Sequence, residues 1–348
     1  MSTLEPATLT SLLLAGLGLS WLITAITRRA ALRAQMLDLP NERSSHSRPT
    51  PRGGGIGFVA PFLGLALLLH LAEAVHPAFL MATIGAGALV ASVGFIDDRG
   101  GLAARWRFLG HLLAAAWVVW HLWPLPRLAA FGSIFDLGPW AVPVAMLMVV
   151  WMVNLFNFMD GIDGIASVEA ICVAVGGALA WWLAEPKADV APALLFAACV
   201  TGFLIWNFPP ARIFMGDVGS GFLGLVVALL ALWSSLETPH VFWCWLILVG
   251  CFMTDATITL VRRVYRGEKF SEAHRSHAYQ YASRRHGSHR TVTLGVLTIN
   301  LLWLLPMACA VAIGWLDGVI AFVIAYVPLF WLAFRYKAGD RAGQGSAA

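Results

Sequence analysis

Residues 139–164 read PWAVPVAMLMVVWMVNLFNFMDGIDG. The run carries no charge before Asp160 and is long enough, at about 20 residues, to cross the hydrocarbon core of a bilayer as one helix. Its last turns change character. Asn154, Asn157 and Asp160 recur every three residues, so on a continuing helix they lie along one slowly turning stripe. Gly161 and Gly164 then interrupt the helix. Backbone freed at that depth is tolerated only against protein or a water-filled cavity. The stretch therefore describes a membrane helix that ends in a polar cleft.

The rest of the chain agrees. Of 348 residues, 59% are hydrophobic and 12% charged, against roughly 25% charged in soluble domains, which excludes a water-soluble globular protein. Apolar windows fall at 9–27, 54–72, 77–96, 108–124, 139–156, 165–183, 190–206, 221–235, 240–260, 292–314 and 318–334. They predict an all-α polytopic membrane protein of about eleven spans. The eighth window is the shortest and starts among glycines, and 125–138 suits a small interfacial turn or hairpin. A single transmembrane domain over 1–348 is expected, with 335–348 a disordered cytoplasmic tail. The first span, preceded by Glu5 and followed by Arg28 and Arg29, reads as retained rather than as a cleaved signal. All five cysteines lie in apolar runs without metal-ligand spacing and read as small buried hydrophobes.

Alternating the loops between two faces leaves only Arg127 and Lys187, of the 23 Lys and Arg, on one side. The basic face is then cytoplasmic, with a periplasmic N-terminus and a cytoplasmic C-terminus. The acids gather on that same face. Asp97 and Asp98 end the third span, Asn154, Asn157, Asp160 and Asp163 end the fifth, and Asp217 lies in FMGDVGSG with Gly219 and Ser220. Acids and amides so crowded repel unless a cation neutralises them, and hard oxygen ligands of this kind suit Mg2+, with Mn2+ as a substitute. Asp255, in the ninth window, is either a proton or substrate group or a structural acid.

Basic and imidazole groups match them. The 261–291 loop contains HRSH, placing His274, Arg275 and His277 together; a guanidinium suits bidentate phosphate contact, and imidazoles can donate a proton near neutral pH. Zinc is disfavoured because no Cys or third His has suitable spacing. The first basic loop holds Ser44, His46 and Arg48 ahead of Arg52 and Gly53–Gly55, whose amides could face an anion.

Five ordered motifs, PNERSSHSRPTPRGGG, GFIDD, NLFNFMDGIDG, FMGDVGSG and HRSHAYQ, span about Asp38 to Arg290. With them the chain resembles the bacterial polyprenyl-phosphate N-acetylhexosamine-1-phosphate transferases. The resemblance implies a multi-pass enzyme of the bacterial inner membrane. It would transfer an N-acetylhexosamine 1-phosphate from a UDP-sugar to undecaprenyl phosphate, release UMP, and so start a cell-surface polysaccharide such as O-antigen or common antigen. A homodimer is implied and nucleic acid is not. It assigns Asn157 and Asp217 to the metal, and Asp97, Asp98, Asp160, Asp163 and His274 to catalysis. Asn154, Ser44, His46, Arg48, Arg275, His277, Gly219 and Ser220 go to the substrates. HRSHAYQ looks more like the O-antigen and exopolysaccharide branch than the peptidoglycan one. A transporter or channel using intramembrane acids is the competing reading, and a lipid-binding scaffold a weaker one.

Overall fold

The computed structural model describes residues 5–40, 48–268 and 274–340. Helices α1 (Pro6–Arg33), α2 (Ile56–Leu71), α3 (Pro77–Gly100), α4 (Ala104–His121), α5 (Ala141–Met159), α6 (Ile165–Ala184) and α7 (Ala191–Asn207) lead into α8 (Asp217–Glu237). Then follow α9 (Val241–Leu248), α10 (Gly250–Tyr265), α11 (Ala278–His286), α12 (His289–Ile299), α13 (Leu305–Ala312) and α14 (Gly318–Arg335). Strand β1 (Leu37–Asp38) pairs antiparallel with β2 (Thr50–Pro51), and β3 (Leu128–Ala130) with β4 (Ser133–Phe135), which gives the 125–138 segment its hairpin.

Each of the eleven apolar windows is helical. By length and composition seven helices can cross a membrane, and α9 with α10 make an eighth if that bent pair is one span. The chain is a multi-pass, all-α membrane protein.

Helix α8 is the axis of the bundle. Its sequence is apolar all round, and 94% of its most apolar window is buried, the pattern of a helix surrounded by others. The eighth window therefore belongs to the most enclosed helix rather than to a short peripheral one. It starts at Asp217, ahead of the glycines, because Asp98 supplies acceptors to its first amides. Close approach depends on missing side chains. A Cβ on Gly224 would run into the backbone of Met152 in α5, and one on Gly94 of α3 into the backbone of Asp217. At the periphery α1 presents Gly16, Ser20 and Thr24, one helical turn apart, to its neighbours; Gly57 of α2 sits against Thr24 and Gly202 of α7 against Leu17 and Ser20. Small residues at such spacing let membrane helices pack where lipid offers no hydrophobic drive.

Two windows depart from simple spans. The ninth bends by 66° between α9 and α10, and α10 turns Thr254, Asp255, Thr259 and Arg263 inward. Asp255 finds its partners at the start of α11, Arg263 pairs with Glu268 just beyond α10, and Thr259 bonds Asp255 within the helix. The tenth, α12 to α13, passes through a π-turn at Asn300–Leu304, where buried Asn300 donates to Glu169 Oε2 at 2.7 Å. A further departure concerns the chain end. Residues 336–340, expected in a free tail, are tied down: Arg262 donates to Ala338 O at 2.7 Å, Arg266 to Gly339 O, and Gly339 N to Ser276 O at 2.7 Å. The basic end of α10 offers the donors that hold these carbonyls.

Overpacking a tight helix contact costs about 1–3 kcal/mol. Gly224→Ala should therefore lower the unfolding midpoint in detergent, whereas Gly18→Ala, with open space around its Cα, should not. Equal melting of both variants would contradict the α5–α8 contact.

Candidate active site

The site is built on the N-terminus of α8. Gly216 precedes the helix at φ +75°, and a Cβ there would meet the Asp98 carboxylate. Into the space glycine leaves, Asp98 accepts from Asp217 N at 2.9 Å and Val218 N at 3.3 Å. An acid at this point satisfies orphan amides and opposes the positive end of the helix dipole. Arg52, just after β2, closes the joint, with Nε 2.8 Å from Asp98 Oδ1 and Nη2 2.9 Å from Asp217 Oδ1.

The neighbouring Asp97 is used differently. It accepts from Leu102 N and from Arg107 Nη1 at 2.7 Å, and its carboxyl lies within hydrogen-bonding reach of that of Asp217. Arg107 also stands 3.7 Å from Asp217 Oδ2. Two carboxylates about 4 Å apart repel by about 4 kcal/mol at the effective dielectric near a protein surface. A guanidinium on either side of Asp217 offsets this.

Two cavities meet on this wall. One, of about 210 Å³, is mostly polar, with Asp38, Arg52, Asp160, Asp163, Gln280 and His289 among its lining. The other, of about 280 Å³, runs along α3 and α4 past Val93, Gly94 and Phe108 to Asp97, Arg107, His111, Asn154, His274 and His277. Asn157 and Asp217 line both. The Asn157 amide donates to Ser220 Oγ at 3.0 Å, which leaves its oxygen to the cavities. Asp160 caps α5. Burial pushes its carboxyl well above the usual carboxylate range, with Asp217 adding to the shift and Arg52 opposing it.

The turn after α5 is fastened by Asp163. Its carboxylate accepts from Ala211 N at 2.9 Å and pairs with His289 at 3.2 Å, while its carbonyl accepts from Thr293 Oγ1 at 2.9 Å. Asn207 joins the same loops, accepting from Gly164 N at 3.0 Å and donating to Ile213 O at 3.0 Å. Asp163 thus lines a cavity and braces three segments at once.

The structure therefore gathers Asp97, Asn154, Asn157, Asp160, Asp163, Asp217, Ser220, His274 and His277 around the two cavities. Several expectations change. Asp98 lines neither cavity and its side chain is 1% exposed; it is spent on the helix joint. Gly219 packs against Gly55 where α2 crosses α8. The amides of Gly54 and Gly55 donate to Phe214 O and Met215 O at 2.9 and 2.8 Å, so they do not face an anion. Arg48 is exposed and Arg275 half-buried, and neither is among the residues lining these two cavities. Burial, with His277 and Arg263 adding, pushes the His274 imidazole down to about 3; it is neutral near pH 7 and bonds Ser276 Oγ at 2.9 Å. Ser44 and His46 lie outside the described residues.

Arg107, His111, Tyr279, Gln280 and His289 did not stand out in the sequence, and Arg52 stood there only as a neighbour of the glycines. A signal existed for two of them. Arg107 and His111 are i and i+4 on a helix that begins beside the paired aspartates, and so share its face.

Residues 80–235 match the model of Glycosyl transferase family 4. A probable undecaprenyl-phosphate N-acetylglucosaminyl 1-phosphate transferase of Bacillus subtilis is 30% identical over 87% of this chain and 85% of its own. A decaprenyl-phosphate N-acetylglucosaminephosphotransferase of Mycobacterium leprae is 31% identical over 79% and 77%. An undecaprenyl-phosphate alpha-N-acetylglucosaminyl 1-phosphate transferase of Salmonella typhi is 27% identical over 89% and 84%. With its paired aspartates, its amide-bearing α5 end and its Gly-Asp helix start converging on one wall, the chain belongs to the polyprenyl-phosphate N-acetylhexosamine-1-phosphate transferase family.

Proposed function

We propose that the protein transfers N-acetylhexosamine 1-phosphate from a UDP-sugar to undecaprenyl phosphate at the cytoplasmic face of the bacterial inner membrane. UMP leaves, and a lipid-diphosphate-linked first sugar remains for cell-surface polysaccharide synthesis. The observation that carries this reading is the wall of Asn157 and Asp217 shared by two cavities of different character. A reaction between a water-soluble donor and a lipid acceptor needs two such compartments with one meeting point. The polar cavity suits the nucleotide-sugar and the apolar-walled one the lipid phosphate. The relatives, named for N-acetylglucosamine transfer, favour that sugar. With eleven crossings the basic loops lie together, and the positive-inside rule then makes the site cytoplasmic. A transporter has less support, because these acids are matched to arginines and helix amides at one end of the bundle.

A phosphate oxygen of the lipid attacks the phosphorus that carries the sugar, and the bond from that phosphorus to the UMP oxygen breaks. Phosphoryl transfer asks the protein for positioning and charge neutralisation more than for covalent help. Arg52 and Arg107, reaching Asp217 from opposite sides, stand where a diphosphate between the cavities meets positive charge. Asp97, bordering the lipid-side cavity, orients the acceptor phosphate.

Mg2+ fits this donor set in one manner. Among the described residues no three His, Cys, Asp or Glu side chains form a ready cage. Magnesium commonly takes one or two carboxylates and fills its shell with water and substrate phosphate oxygens. Asp217 and the Asn157 oxygen would hold it, and it would supply charge stabilisation on the phosphoryl oxygens.

Purified protein in lipid, given undecaprenyl phosphate, Mg2+ and a panel of UDP-sugars, should release UMP with at least one N-acetylhexosamine donor. No release with any donor rejects the assignment. Titrated alone, Mg2+ should bind weakly, and saturable binding should appear once UDP-N-acetylglucosamine is added. Asp217→Asn should remove that binding and cut turnover by about 10²-fold or more. Tight Mg2+ binding without nucleotide would overturn the shared-ligand account.

The paired aspartates should separate by assay. Asp98→Asn loses a charged helix cap worth about 0.5–2 kcal/mol and should melt lower. Asp97→Asn should melt like wild type while turnover falls. The reverse pattern would exchange their roles.

A further inference from the structure

Asp255 lies outside both cavities on α10, yet its carboxylate is one of the most heavily used acceptors in the molecule. Only 5% of the residue is exposed. Oδ1 accepts from Ala278 N at 2.9 Å and Thr259 Oγ1 at 3.1 Å and lies 3.2 Å from His277 Nδ1; Oδ2 accepts from Tyr279 N at 3.0 Å. A carboxylate can only accept, so the proton of the His277 ring stands on Nδ1. In the neutral ring Nε2 is then a bare lone pair. Among the described residues no hydrogen bond reaches Nε2, and His277 lines the cavity that Asp97, Asn157 and Asp217 share.

The ring is fixed in orientation as well as in tautomer. It stacks on Tyr279 at 5.6 Å between centroids and lies 5.0 Å from the His274 ring. The Tyr279 hydroxyl donates to Phe158 O at 3.1 Å, in the last turn of α5 beside Asn157. Asp255 therefore joins the start of α11 to α10, and Tyr279 joins it to the helix that carries the shared wall.

We propose that Asp255 is a positioning residue: it holds His277 in the Nδ1-protonated tautomer, so that Nε2 accepts a hydrogen bond from a hydroxyl of the bound phosphate or sugar. The same logic applies wherever a carboxylate behind an imidazole decides which nitrogen faces the substrate. The proposal rests on the reading of the cavities as the reaction site. The bend between α9 and α10 acquires a purpose, since it brings Asp255 under the HRSH loop.

The test uses the full chain in lipid nanodiscs with 15N-histidine, His277 being identified by the signal lost in His277→Gln. Wild type should show a protonated Nδ1 and an unprotonated Nε2; a protonated Nε2 in the neutral ring overturns the proposal without any substrate present. Asp255→Asn keeps an oxygen for the Tyr279 amide but can turn an NH2 toward Nδ1 in place of Oδ1, which gives up the acceptor for Ala278 N and moves the ring proton to Nε2. It should bind UDP-N-acetylglucosamine with little change in KM and lose about 10²-fold in kcat, within the span ordinary for a displaced proton-handling group. In a His277→Gln background the same substitution should cost little more, because its effect passes through the ring. A full additional loss there would make Asp255 a fold residue only, and an unchanged kcat in the single variant would remove it from the reaction. If Asp255→Asn does not fold, the wild-type spectrum still decides. If wild type releases no UMP with any donor, the functional reading fails while the tautomer result stands by itself.

Discussion

The site depends on how a membrane protein keeps several carboxylates together at the edge of its core. An uncompensated charge within a bilayer is costly, and Asp97, Asp98 and Asp217 touch or nearly touch. They persist because each meets a different positive partner. Asp98 has the amide end of α8 with Arg52, Asp97 has Arg107, and Asp217 lies between the two guanidinia. The partners come from distant parts of the chain, so the cluster exists only when α3, α4, α8 and the β2 edge are assembled. On the proposed reading, a divalent ion would offset the negative charge that three acids leave against two arginines.

The glycines serve that assembly. Gly94 lets α3 reach the α8 backbone at Asp217, Gly55 and Gly219 let α2 cross the first turn of α8, and Gly216 admits the Asp98 carboxylate beneath the helix start. A methyl group at these contacts would widen the spacing between the acids and their arginines. Packing and electrostatics are therefore one constraint here. It also explains why the amides of Gly54 and Gly55 do not face an anion: they pin the Phe214 and Met215 carbonyls of the segment that leads into α8.

Much of this was legible in the sequence. The windows located every helix except α11, which carries no apolar run and lay in the segment read as a loop, because lipid selects for long apolar runs; Asn154, Asn157, Asp160 and Asp217 stood out because polar groups there need a reason. Less legible was the division of labour between adjacent residues. Asp97 and Asp98 differ by one position on a helix, about 100° of rotation, and only packing decides which faces a cavity and which faces α8. Arg107 and His289 were hidden among other cationic and imidazole residues whose partners lie far away in sequence. The fixed end of the chain at 336–340 was hidden likewise, since its anchors are Arg262, Arg266 and the carbonyl of Ser276.

On the proposed reading, in which the polar cavity takes the nucleotide-sugar and the other the lipid phosphate, the arrangement of the cavities bears on how two unlike substrates are kept in register. The polar cavity is walled by the 160–164 turn and the 207–216 loop, which Asp163 and Asn207 stitch together through backbone groups. The lipid-side cavity is walled by whole helices, α3 and α4, with the HRSH segment as its far edge. A soluble donor must enter and leave, and loops on latches permit adjustment. A lipid phosphate approaches along the bilayer, and rigid helices give it a fixed height. Asn157 and Asp217 sit at the ends of the two helices that both walls share. A transfer between the two substrates would therefore meet where these two helix ends come together.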